Sequence, residues 1–237
     1  MTGVTLGIET SGMAGLVALS RNGQLLEERE LEHTRRRHAQ TLILELQTLL
    51  SHHDVVPSDV DLIGISHGPG SFTGLRVGVV AAKTFAFAID CRLVAVDTLA
   101  AIAEAADDRV TSISVVSDAQ REQLFVGEFT RTSSTEQFER QGPIEIVDAD
   151  AWCTDLKSRA SETFAIAGPV LKKLTDKIPV EVRQLDEAAW QPRAFAIATL
   201  AERLAADEEF ADPFELEPFY LRKSSAEEKR DARLASS

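Results

Sequence analysis

The chain has 237 residues, 44% hydrophobic and 27% charged, enough apolar material for one large domain or two lobes of roughly 100 residues each. Its formal net charge of −13 works against direct contact with nucleic acid, where affinity is dominated by neutralising phosphates. Arg76 and Lys83 interrupt the best candidate for a membrane span, residues 72–89, and the first residues lack the basic and apolar segments of a signal peptide, so a cytoplasmic protein is expected. Cys91 and Cys153 stand far apart, without metal-type or redox-type spacing, and read as small hydrophobes.

In chain order, residues 4–9 and 15–19 are apolar runs of strand length. Asn22-Gly23 ahead of Leu25-Leu26 is a strong hairpin signal, so the chain is predicted to open as three antiparallel strands. Residues 38–53 set Leu42, Leu46 and Leu49 on one helical face, with Ile43, Leu46 and Leu50 on its shoulder, and Pro57-Ser58-Asp59 stops that helix. A short buried strand at 62–66 leads through a glycine-rich loop into residues 72–89, a helix apolar on all sides and therefore expected to be buried all round. Within it Gly74, Gly78, Ala82 and Ala86 recur every fourth residue as a ridge almost free of side chains. Such a ridge suits close approach either by a partner helix or by the chain's own sheet.

Residues 93–96 form the next strand and 98–106 an alanine-rich helix that ends at Asp107-Asp108, where the lobe boundary is placed. Residues 1–106 are then an N-terminal lobe, 107–223 a C-terminal lobe, and 224–237, polar and nearly charge-balanced, a disordered tail. In the second lobe, strands at 111–117 and 124–129 flank Asp118-Ala119-Gln120-Arg121-Glu122, echoing Glu9-Thr10-Ser11 after the first strand, without residue-level identity. A strand at 144–147, a helix at 149–159, a strand at 164–167 and a long helix at 193–206 complete an α/β chain of two related lobes.

The loop Gly68-Pro69-Gly70-Ser71-Phe72-Thr73-Gly74-Leu75-Arg76-Val77-Gly78 is the most specific feature. Gly68, Pro69 and Gly70 make a turn most residues would resist, and Ser71 sits at a helix N-cap position. Spacing excludes the common glycine motifs. Three residues rather than two separate Gly70 from Gly74, no Gly-Lys-Ser/Thr follows, and Pro69 stands where a nucleophile elbow needs glycine. The five histidines show no ligand spacing: His33 and His38 are five apart, His52 and His53 adjacent, and His67 alone. Glu9, Asp97 and Asp118 could converge between the lobes, either as a general-base pair or as remnants of a nucleotide site. Arg76, a charge on an apolar helix, is expected at an interface or reaching to solvent.

On Ile8-Glu9-Thr10-Ser11, Arg37-His38-Ala39, the glycine signature, Asp118-Ala119 and Pro218-Phe219-Tyr220-Leu221-Arg222, nearly the whole chain resembles the TsaB (YeaZ) family. Glu9 stands where that family usually has Asp, and Ala39 where it usually has a hydroxyl residue. The resemblance implies an actin-like ATPase and sugar kinase (ASKHA) architecture. It implies an accessory subunit in making threonylcarbamoyladenosine at position 37 of tRNAs, without catalytic residues of its own. A heterodimer with TsaD is implied, through the helices bearing His38, Leu42, Leu46, Leu49, Gly74, Gly78 and Ala82, completed by the ATPase TsaE. ATP and a divalent metal are then expected in those partners, with none bound by this chain alone and tRNA met only through the complex. The resemblance makes Glu9, Thr10, Ser11, Asp97 and Asp118 a vestigial nucleotide cleft. The chain has no Gly-Gly pair for an adenosine turn, and Thr98 and Ile102 stand at the positions of TsaD's two metal-binding histidines. Self-association through the same helices is expected when the chain is alone. A small-molecule kinase or a metallopeptidase-like protein of the same superfamily are the alternatives.

Overall fold

The structure, a computed structural model, describes residues 3–31, 38–133 and 136–221, with the backbone alone at 38–40. The tail at 224–237 and the basic knot Arg35-Arg36-Arg37 lie outside the described residues. The first lobe is built from β1 (Val4–Glu9), β2 (Leu16–Arg21), β3 (Gln24–Glu30), α1 (His38–His52), β4 (Val60–Gly68), α2 (Phe72–Ile89) and β5 (Arg92–Asp97). Its sheet has the order β3-β2-β1-β4-β5, antiparallel up to β1 and parallel from β1 onward. The opening hairpin forms as expected, with Asn22 and Gly23 both at positive φ, +54° and +76°.

Next comes α3 (Thr98–Ala103), then β6 (Ser112–Asp118), β7 (Gln123–Thr130), the two-residue β8 (Glu139–Arg140), β9 (Glu145–Asp148), α4 (Ala149–Arg159), β10 (Phe164–Ala167), β11 (Arg183–Gln184) and α5 (Ala194–Ala206). The second sheet repeats the first. The hairpin β6–β7 is antiparallel, β9 adds antiparallel to β7, and β10 and β11 follow parallel on the far side of β6. Strand β10 ends in Gly168-Pro169 where β4 ends in Gly68-Pro69, and the glycines have φ of +134° and +131°. The two halves therefore share a residue-level identity that the acidic turns alone did not reveal.

Strict alternation divides the first sheet between two layers of helix. Leu6, Ile8, Val17, Leu19, Ile63 and Ile65 point to α1 and α2, where they pack with Leu42, Leu46, Leu49, Leu50 and Val79. Gly7, Ala18, Gly64 and Val94 point the other way, to α5. A Cβ on Gly7 would stand 2.0 Å from the Ala194 carbonyl oxygen, and one on Gly64 2.6 Å from Ala201 Cβ, so glycines in register on β1 and β4 let this alanine-faced helix lie against the sheet. Thus α5, expected in the C-terminal lobe, covers the N-terminal sheet. In exchange α3, expected in the N-terminal lobe, places Leu99, Ile102 and Ala103 in the second core beside Ile113, Val115 and Phe129. The boundary near residue 106 separates the sheets but not their helices.

Helix α2 has the length and composition of a membrane span. In the fold it packs on β4 and α1 through Leu75, Gly78, Val79, Ala81, Ala82 and Ala86. It is not buried all round: Thr73, Arg76, Val80, Thr84 and Phe87 form one exposed stripe.

Candidate functional site

The glycine signature closes onto the chain's own first turn. Ser71 caps α2, accepting from the Gly74 N–H at 3.2 Å, and its own N–H donates to the Ser11 carbonyl at 2.8 Å. A Cβ on Gly74 would lie 1.9 Å from the Thr10 carbonyl oxygen, and one on Gly78 2.0 Å from Thr10 Oγ1. Thr10 and Ser11 are both buried there, and the Thr10 N–H meets Ser66 Oγ at 3.3 Å. Of the two faces the ridge could serve, it is the sheet side that it meets, with Gly78, Ala82 and Ala86 buried. The assignment of Gly74, Gly78 and Ala82 to a partner surface is corrected, because Thr10 fills the space beside both glycines and Ala82 is buried in the first core.

Leu42, Leu46 and Leu49 are corrected likewise: each is at most 1% exposed and belongs to the first core. His38 opens α1, and its side chain is outside the described residues. The large apolar residues that face solvent on these two adjacent helices are Ile43, Leu44, Val80 and Phe87, the last at 65% exposure. Part of the signal was in the sequence: Val80 and Phe87 are seven apart opposite the glycine ridge and Leu44 falls off the leucine face, whereas Ile43, read as that face's shoulder, is exposed.

Glu9 ends β1 fully buried. Its Oε1 accepts from Ser11 Oγ at 2.6 Å, from the Gly12 N–H at 3.0 Å and from the Ser11 N–H, while Oε2 has no partner among the described residues. Burial pushes its pKa up, against the lowering pull of those donors. Asp97 caps α3 through the Leu99 and Ala100 N–H groups and reaches Arg140 at 2.8 Å, tying the end of β5 to the second lobe. Burial raises its pKa despite the cap and the arginine. Asp118 accepts from the Gln120 N–H at 2.7 Å and pairs with Lys173 at 2.6 Å; burial pulls it up but is outweighed by Lys173, which leaves it below the ordinary value. No hydrogen bond joins any two of these three acids among the described residues. The turn after Asp118 runs through Gln120, Arg121 and Glu122 at φ of +62°, +54° and +60°, three L residues in the left-handed region where glycine would be at ease.

Among the described residues no group of three His, Cys, Asp or Glu side chains is placed to hold a metal. His53 meets Glu27 at 2.9 Å and His67 meets the Val96 carbonyl at 3.1 Å. Thr98 and Ile102 are buried on α3. Both cysteines are free, and burial raises the Cys91 thiol to about 11.

Residues 207–221, which offered only the Pro218–Arg222 motif to sequence reading, run back over α2. Phe214 meets Phe87 edge to face at 5.3 Å, Lys83 Nζ donates to the Leu216 carbonyl at 2.8 Å, and Tyr220 stacks on Phe72 at 4.7 Å. Arg76 lies 4.1 Å over the Phe72 ring and donates to the Tyr220 hydroxyl at 3.0 Å, so its side chain is engaged within the chain.

Residues 31–229 match the family model described as TsaD, tRNA N6-adenosine threonylcarbamoyltransferase. The Bacillus subtilis protein named tRNA threonylcarbamoyladenosine biosynthesis protein TsaB is 28% identical over 227 residues, covering 94% of this chain and 96% of that one. Two Pseudomonas aeruginosa structures, one described as similar to peptidase YeaZ and one as YeaZ, superpose at TM-scores of 0.79 and 0.76 with 26% and 25% identity. They cover 93% and 92% of this chain and all of theirs. With its five-stranded and six-stranded sheets built on one repeated plan, this is the two-lobed actin-like ATPase and sugar kinase architecture, and the chain belongs to the TsaD-type family and, within it, to the TsaB (YeaZ) branch.

Proposed function

We propose that this chain takes part in tRNA threonylcarbamoyladenosine biosynthesis as a non-catalytic subunit that docks on a TsaD-type transferase and activates it. The observation that carries the reading is the apolar stripe of α2, where Val80 and Phe87 are 62% and 65% exposed, flanked on α1 by Ile43 and Leu44 at 48% and 59%. Large apolar side chains left exposed on two adjacent helices mark a protein-binding surface. The three acids of the cleft are held by their own turns, caps and ion pairs, consistent with a cleft that performs no transfer. On this reading the partner and a TsaE-type ATPase hold the ATP and the divalent metal, and the complex rather than this acidic chain meets the tRNA in the cytoplasm. When the partner is absent, the same patch serves a homodimer.

The test is a titration of the full chain against the TsaD-type protein of its own organism, with Phe87→Asp and Val80→Asp compared with the parent. Truncating or charging a central apolar anchor typically costs about 2 kcal/mol or more, so binding should weaken at least about 30-fold with the melting temperature unchanged. Unaltered affinity in both variants refutes the docking face. Tight binding of Mg-ATP to the isolated chain in calorimetry would favour the kinase alternative.

A further inference from the structure

We infer that residues 211–221 form a latch, in which Phe219, Tyr220 and Leu221 fasten the second lobe to the glycine loop and so hold that loop in place. The segment begins on the free edge of the first sheet, where the Ala211 N–H donates to the Leu93 carbonyl at 2.8 Å on β5. Ala211 and Leu216 pack against the first core. The Lys83 ammonium then gathers the Phe214 and Leu216 carbonyls at 3.5 and 2.8 Å. At the loop the contacts become reciprocal. The Phe219 N–H donates to the His67 carbonyl at 2.7 Å, and the Phe219 and His67 rings lie 5.7 Å apart. The Phe219 carbonyl stands 2.7 Å from where a Cβ on Gly68 would be, so Gly68 is required both by its φ of +131° and by the latch. One residue on, Tyr220 covers Phe72 and receives Arg76; one further, Leu221 packs against the core of the second lobe with Trp190.

Three consecutive side chains thus touch β4, the first turn of α2 and the opposite lobe. A second link between the loop and that core runs through Asp97, which pairs with Gly68 and caps α3. Within the first lobe the loop is also anchored by the Ser71 N–H on Ser11 and by Gly74 and Gly78 against Thr10. Phe219 and Tyr220 are each 38% exposed, which marks a docked segment that can release without unfolding the core beneath it.

Amide hydrogen exchange on the full-length chain tests this. In Tyr220→Ala, peptides spanning 66–76 and 211–221 should exchange at least about ten-fold faster than in the parent, while β1 and α5 peptides keep their protection. Tyr220→Phe, which keeps the ring on Phe72, should restore protection at both places. Release of 211–221 with an unchanged loop would overturn the latch, as would loss of protection throughout β1 and α5, since the segment would then be part of the global core. Tyr220→Phe exchanging like Tyr220→Ala would also overturn it, because the ring stack would not be what fastens the lobe.

Discussion

Gly74→Ala is the substitution for which helix propensity and packing point in opposite directions. In an ordinary helix, alanine in place of glycine adds about 1 kcal/mol of stability. Here the new Cβ would meet the Thr10 carbonyl oxygen at 1.9 Å, and that atom is backbone at the end of β1, with no rotamer by which to escape. The start of α2 would have to retreat from the first turn by more than an ångström, stretching the 2.8 Å bond from the Ser71 N–H to the Ser11 carbonyl. Overpacking costs about 1–3 kcal/mol, and the carbonyl of the buried Ser11 left short of its donor about 1–3 more. Set against the propensity gain, the net loss should be about 1–5 kcal/mol, or a melting temperature lower by roughly 2–20 °C for a chain of this size. Urea denaturation followed by tryptophan fluorescence reads the difference directly. Gly12→Ala is the control from the same turn: its Cβ would find only ordinary contacts at 3.5 Å and beyond, so it should be neutral or slightly stabilising. A Gly74→Ala protein as stable as the parent would refute the packing of the signature loop on Thr10.

Because burial raises the pKa of Glu9, the folded chain holds that proton more tightly than the unfolded chain. The group's contribution is therefore most favourable below the ordinary carboxylate value and is lost as pH rises toward the raised one. Glu9→Gln removes this dependence, so the stability difference between parent and variant should move in favour of the variant as pH rises; a difference independent of pH disproves the buried ionisation. Asp97→Asn keeps an acceptor for the Leu99 and Ala100 N–H groups, whereas Asp97→Ala loses it, so the alanine variant should be about 1 kcal/mol less stable than the asparagine one in the same denaturation assay; equal stabilities contradict the cap. Gly168→Ala puts a Cβ 1.9 Å from the Val116 carbonyl at a φ of +134°, and should destabilise by at least about 2 kcal/mol; a smaller loss argues against the equivalence of the two Gly-Pro turns.

The elements were largely legible because their local signals are strong. Asn22-Gly23 fixed a hairpin, Ser71 and Asp148 cap α2 and α4, and the bounds of β1, α2, α4 and β10 fall where periodicity put them. Direction was harder to read. A ridge of small residues such as Gly74, Gly78 and Ala82 permits close approach without naming what approaches, and only the position of Thr10 decides it. The same holds for α1: periodicity found the leucine face, but the strongest apolar face is the one a chain spends on its own core. The apolar residues that α1 leaves exposed, and that the proposed docking face uses, are the weaker set beyond that face, Ile43 and Leu44. The segment 207–221 carries no period at all, and its aromatic residues acquire meaning only from the loop beneath them.

The exchange of helices between the lobes was illegible for a related reason. Chain order places α3 with β5 and α5 with β11, yet each helix carries an apolar face cut for the other sheet. Alanines of α5 fit the glycine strip of β1 and β4, and Leu99 and Ile102 of α3 fill the space beside Phe129. Local sequence specifies the helix and its face, while the complementary surface lies elsewhere in the chain, for α5 more than a hundred residues back in β1 and β4. Neither lobe therefore completes both layers of its sheet from its own contiguous residues. The two helices, with the Asp97–Arg140 pair and the segment ending at Leu221, make the repeated halves one cooperative body despite their separate sheets.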